Sequence, residues 1–170
     1  MKIKFGPAII TLCLFGWMVS CTPISKSAHI INNKKLQGKW ALVSITPDDT
    51  AAVFKPLPIF EDVPTACLVN SAWLLDENDL GEYNIPGGNG PASCIKGTRK
   101  INWLILEING TNFLQFRRAI AVAGVKTDRF SSYILEMESF DKKVIKFKYP
   151  IYYKGQTTWL HFNFGYKGKN

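Results

Sequence analysis

A chain of 170 residues is long enough for one domain with a single hydrophobic core. Its formal charge of +8 is spread without a dense run; such a balance favours anionic surfaces but carries no helix or motif of a nucleic-acid reader, so nucleic acid is excluded as the expected partner. Four cysteines without a CxxC spacing, and only His29 and His161 beside them, exclude a recognisable zinc site.

In chain order, the first element is an export address. Lys2 and Lys4 precede an apolar run, residues 8–19, that is too short to span a bilayer stably, and the small Ser20 stands before Cys21. A signal peptide over residues 1–20 follows, and without Lys2 and Lys4 the mature chain carries +6. Met18-Val19-Ser20-Cys21 resembles the bacterial lipobox, which implies acylation of Cys21 as the new N-terminus. An ordinary signal peptide, or a short membrane anchor with an incidental cysteine, is the alternative. Residues 22–33 are polar and lack a periodic apolar face, so residues 21–35 read as the lipidated cysteine and a tether, and residues 36–170 as the domain. Cys13 lies in the apolar leader and Cys21 is the lipid site, which leaves Cys67 and Cys94 as an even pair in an oxidising compartment, expected to be bonded to each other.

From residue 36 onward the character is β. Residues 36–45 form a strand candidate ended by Pro47-Asp48-Asp49. Residues 53–66 hold Pro56, Pro58 and Pro64 and cannot be a central strand; they are expected as a long loop or a short helical turn on the outside. Two short strands follow at 71–75 and 81–85 around the acidic turn Asp76-Glu77-Asn78-Asp79, and a glycine-rich loop, 86–91, leads to Cys94. Residues 101–108 and 112–118 flank Asn109-Gly110, the sequence of a type I′ hairpin turn, whose two central residues both need positive φ. Residues 129–138, 144–153 and 158–166 complete a meander. Eight antiparallel strands joined mostly in sequence order must hide two edges, and closure hides both. The expected fold is all-β, an eight-stranded up-and-down antiparallel barrel, with a two-sheet sandwich as the alternative.

Alternation assigns the faces. Tyr133, Leu135 and Met137 point inward with Phe147 and Tyr149, and so do Phe162 and Phe164 of the last strand, while Lys146, Lys148, His161 and Asn163 point outward. An eight-stranded barrel is either just filled by side chains or holds one small ligand, so these seven inward residues are core or cavity wall.

Gly38-Lys39-Trp40, a Gly-x-Trp at the start of the first strand, resembles lipocalins and the lipocalin-like domains of bacterial lipoproteins. The resemblance implies that Trp40 closes one end of the barrel beneath the cavity. The stretch from Cys67 through Trp73, Gly81-Glu82-Tyr83 and Cys94 to Trp103 is similar to the paired-cysteine middle of lipocalin-like lipoproteins of Gram-negative bacteria. Thr127-Asp128-Arg129 has Arg where true lipocalins have Tyr, which puts the chain beside the lipocalin-like domains and apart from the ligand carriers.

Catalytic chemistry has little to start from. There is no Gly-x-Ser-x-Gly, no His-Glu-x-x-His and no phosphate loop ahead of a helix. Gly87-Gly88-Asn89-Gly90 is bounded by prolines and reads as a flexible loop. Asp76 to Asp79 lack the calcium-loop pattern, since Leu80 stands at a ligand position and Gly87 at the twelfth. His161 has no partner that the sequence identifies and is expected to be simply exposed. Asp49-Thr50-Ala51 resembles a triplet that some Gram-negative lineages O-glycosylate at Thr50, with an ordinary turn as the alternative. The expectation is therefore a non-enzyme without cofactor or metal: an outer-membrane lipoprotein of the cell envelope, held by its lipid, whose barrel binds a small apolar or amphipathic molecule. The alternative is a structural or interaction lipoprotein with a filled barrel that works through its outer surface.

Overall fold

A computed structural model describes residues 29–30, 33–48, 58–86, 94–120, 129–153 and 155–169. The expectations for the leader and Cys21, for Thr50, for Gly87 to Gly90 and for Thr127-Asp128 lie outside these residues.

The described residues contain eight barrel strands: β1 (Gly38–Pro47), β2 (Ala72–Leu75), β3 (Leu80–Ile85), β4 (Gly97–Ile108), β5 (Thr111–Ile120), β6 (Arg129–Phe140), β7 (Val144–Tyr153) and β8 (Gln156–Gly168). Each pairs antiparallel with the next, and β8 returns to β1 from Leu160 opposite Pro47 to Gly168 opposite Lys39. β4 closes the ring by serving two neighbours, β3 along Gly97 to Asn102 and β5 along Ile101 to Ile108. The barrel is closed, and the sandwich alternative falls. Closure gives each of the eight strands a paired neighbour on both sides, the physical requirement that the meander of alternating residues creates.

Local chemistry sets the corners. Asn109 and Gly110 adopt φ of 54° and 78°, the left-handed pair that a type I′ turn demands between β4 and β5. Gly38 begins β1 at φ 132°, and a Cβ there would stand 2.8 Å from Tyr166 Cε2 and 2.9 Å from the Gly168 carbonyl, so only glycine admits this close return of β8. Beside it Trp40 is buried, donates from Nε1 to the Leu36 carbonyl at 2.8 Å and packs edge-on against Tyr166 with centroids 4.9 Å apart. The tether reaches the fold before its expected end: His29–Ile30 pairs with Glu107 and Leu106 of β4, and Asn33–Lys35 forms a 3₁₀ turn.

The largest departure from the sequence reading is the segment between β1 and β2. Its described part does not lie on the outside. Pro58–Ile59 and Val63–Pro64 make a miniature hairpin, and the one-turn helix α1 (Thr65–Leu68) follows. Ile59, Phe60, Val63, Cys67 and Leu68 are all buried in the one core of the barrel. The prolines do keep this hairpin out of the barrel ladder, as expected. What they bracket includes Ile59, Phe60 and Val63, whose apolar side chains gain more by entering the barrel than by staying in water. Cys67 on α1 is bonded to Cys94 ahead of β4, with their Cα atoms 5.4 Å apart, so the segment is stapled to the wall it enters beside.

Candidate functional site

The strand registers give the barrel two ends. Trp40, Leu75 and Tyr166 sit at one; the end of β1, the starts of β4 and β6 and the hairpin tip Ile59 to Asp62 sit at the other. This second end is the candidate site, and the hairpin, Pro58 to Pro64, is a strap across it.

Phe60 is the part of the strap that goes in. Its ring centroid lies 4.9 Å from Phe116, 5.1 Å from Tyr133, 5.6 Å from Tyr149 and 5.9 Å from Phe162, and it is 2 % exposed. Trp73 stands edge-on at 6.5 Å and stacks on Tyr83 at 4.6 Å. Phe60 and Glu61 reach this position with φ of 57° and 51°, closed by the Asp62 amide donating to the Ile59 carbonyl at 3.1 Å. Left-handed backbone at non-glycine residues costs about 1–2 kcal/mol each.

Asp62 latches the strap. Its Oδ2 accepts from the Tyr83 hydroxyl at 2.8 Å and from Arg99 Nε at 3.0 Å; its Oδ1 accepts from Arg99 Nη2 at 3.2 Å and lies 3.4 Å from Arg118 Nη1. Arg118 Nη2 donates to the carbonyls of Phe60 at 3.1 Å and Glu61 at 2.8 Å, and the Ser131 hydroxyl donates to Glu61 Oε2 at 3.1 Å. Both arginines stand on inward positions of their strands, Arg99 in phase with Ile101 and Trp103, Arg118 with Leu114 and Phe116. The Asp62 side chain is 8 % exposed, that of Arg118 10 % and that of Arg99 12 %, so these charges attract each other with little screening. Burial, and next the Asp62 charge, push the Tyr83 hydroxyl well above the phenol range, which keeps it a hydrogen-bond donor. Burial also raises Tyr133 and Tyr149.

Two guanidinium groups here share one buried carboxylate, and two donors are left over. Arg118 Nε and the Tyr133 hydroxyl are buried without a hydrogen-bond partner, although Ser131 and Arg118 lie close enough to the phenol to favour its ionised form against the effect of burial. Glu61, the further acid of the strap, is exposed.

Of the residues expected to line the interior, Tyr133, Leu135, Phe147, Phe162 and Phe164 are buried and Met137 and Tyr149 are partly buried against them. Tyr133, Tyr149 and Phe162 surround the strap tip, while Phe147 and Phe164 pack on each other at 5.9 Å. Phe60, Asp62, Tyr83, Arg99 and Arg118 were not anticipated as a site. Charged residues at two inward strand positions are the sequence signal that marks it.

On the outer wall His161 is not simply exposed. Nδ1 meets Glu138 Oε2 at 2.8 Å, Nε2 meets Asp48 Oδ1, and the hydrogen bond to Glu138 foremost, with that to Asp48, raises the imidazole pKa against partial burial. Next to it Lys148 bonds Glu136 at 2.9 Å and lies 4.7 Å over the Trp159 ring. Among the described residues no group of three or more His, Cys, Asp or Glu side chains could hold a metal ion. Compared with family models, with curated proteins and with solved structures, the chain gives no match.

Proposed function

We propose that the chain is a non-catalytic, lipocalin-like binding domain of a lipoprotein, anchored through Cys21 in the outer membrane, whose barrel takes up a small apolar or amphipathic molecule when the strap withdraws. The strap carries this reading. A barrel of eight strands can be filled by its own wall side chains and needs no inserted segment. Here a separate hairpin fills the mouth with Phe60 and accepts left-handed backbone at two bulky residues to do so. Strain of that kind persists where surrounding structure over-determines it, and it clusters at ligand clamps and switch segments. With Phe60 withdrawn, Trp73, Phe116 and Phe162 offer apolar walls and Tyr133 and Tyr149 two phenols, the composition of a small-molecule pocket. The export signal and lipobox-like Cys21 support the location, and Cys21→Ser then gains a soluble envelope pool.

A second reading, a permanently filled barrel acting through its outer face, is favoured by the near-complete burial of Phe60. Titration with the neutral fluorophore N-phenyl-1-naphthylamine separates the two. A ligand that must expel the strap is weakened by the fraction of barrels already open, so Phe60→Ala should bind the probe at least about tenfold tighter than the natural chain. No uptake by either protein, with a stability loss of about 3–5 kcal/mol in the variant, would leave Phe60 as core only.

A further inference from the structure

We infer that the molecule held at this mouth is an anionic amphipath, and that its carboxylate head is taken by Arg118 together with the Tyr133 hydroxyl while its apolar part replaces the Phe60 ring. This rests on the strap-gated binding proposed above and adds the ligand class. Three observations converge on it.

The first is charge. Arg99 and Arg118 lie beside a single buried carboxylate, so the cluster holds one buried positive charge more than it neutralises. An uncompensated buried charge is costly, and when the strap withdraws and takes Asp62 with it, an arriving anion supplies the counter-charge that both arginines lose. The second is the pair of vacant donors. Arg118 Nε and the Tyr133 hydroxyl are each buried with no acceptor, on residues 8 % and 6 % exposed. Two donors of this kind, one charged, suit a two-oxygen acceptor. The third is the strap. It presents to the mouth an aromatic ring at Phe60 and a carboxylate at Asp62, and Arg99 grips that carboxylate through two nitrogens. The strap thereby displays the two chemical parts that the wall accepts, an apolar body and a planar anion. When it leaves, the Arg118 bonds to the Phe60 and Glu61 carbonyls are vacated as well, which gives the guanidinium further donors for the head.

Dodecanoate and dodecan-1-ol, matched in chain length and different in the head, test this by competition against N-phenyl-1-naphthylamine on the natural chain and on Tyr133→Phe. A charge-assisted hydrogen bond predicts that the acid binds at least about tenfold tighter than the alcohol. Tyr133→Phe removes a hydroxyl that makes no hydrogen bond of normal length and angle in the closed barrel, so its melting temperature should change little. Its preference for the acid over the alcohol should fall about tenfold. Equal affinities for acid and alcohol, or a Tyr133→Phe variant that keeps the natural chain's preference for the acid, overturn the anionic head and leave barrel binding standing. Probe uptake by neither the natural chain nor Phe60→Ala removes both.

Discussion

Asp62 and Arg99 meet side-on, the carboxylate facing Nε at 3.0 Å and Nη2 at 3.2 Å, and this pair joins the strap between β1 and β2 to the first residues of β4. The arginine is itself held: Nη1 donates to the Gly97 carbonyl and Nη2 to that of Ile95, both at 2.7 Å. A guanidinium fixed from behind presents its fork without losing further side-chain freedom, which makes the contact stronger than a surface ion pair.

Asp62→Ala should therefore be among the most destabilising polar-to-alanine changes in the chain. It leaves Arg99 and Arg118 buried without their counter-charge, and removal of one partner from a buried ionic cluster costs about 3–5 kcal/mol. Denaturant unfolding checks it; a loss below about 1 kcal/mol, the worth of an exposed pair, would mean the cluster is solvated.

The Cys67–Cys94 bridge spans 27 residues and ties α1, directly behind the strap, to the entry of β4. On the loop-entropy account it stabilises by about 3–4 kcal/mol. A Cys67→Ser, Cys94→Ser double variant should melt at lower temperature and keep the far-ultraviolet spectrum of the barrel, because the eight strands close through their own ladders. Collapse of the β signal at ambient temperature would contradict this.

His161 gives a pH dependence with a defined sign. Its pKa in the folded chain is raised, foremost by Glu138 and then by Asp48, so the protonated ring binds the fold more tightly than it binds water. The stabilisation is fully present below the unfolded imidazole value of about 6.5 and is lost as pH rises through the raised folded value. Glu136 and Lys148 on the adjoining strands pair with each other, and Lys148 stays charged through this window. His161→Gln should thus be less stable than the natural chain at pH 5 and approach it at pH 9. A difference that grows with pH would refute the assignment.

The barrel was legible in the sequence because its signals are local. Alternation fixes the inward set from Tyr133 to Phe164, Asn109-Gly110 fixes a hairpin, and Cys67 and Cys94 pair with each other. The strap was not legible, because burial of Phe60 is a long-range event: its partners Phe116, Tyr133, Tyr149 and Phe162 stand on four different strands far along the chain, and three nearby prolines read as surface loop. Arg99 stands ahead of one predicted strand and Arg118 at the end of the next, and their meaning depends on Asp62 arriving from another part of the chain. His161 shows the same limit, since Asp48 and Glu138 become its neighbours only when β8 closes onto β1 and the far side of β7 brings in β6.

The central claim is that the strap is displaced when the barrel is occupied, and amide hydrogen exchange across Pro58 to Pro64 tests it most directly. The Asp62 amide, bonded to the Ile59 carbonyl, should be protected in the empty protein and exchange faster when N-phenyl-1-naphthylamine is bound, while amides of β7 and β8 keep their protection. Strap exchange that stays as slow with bound probe as without it would contradict the account, since the probe would then sit outside the barrel and Phe60 would never leave it.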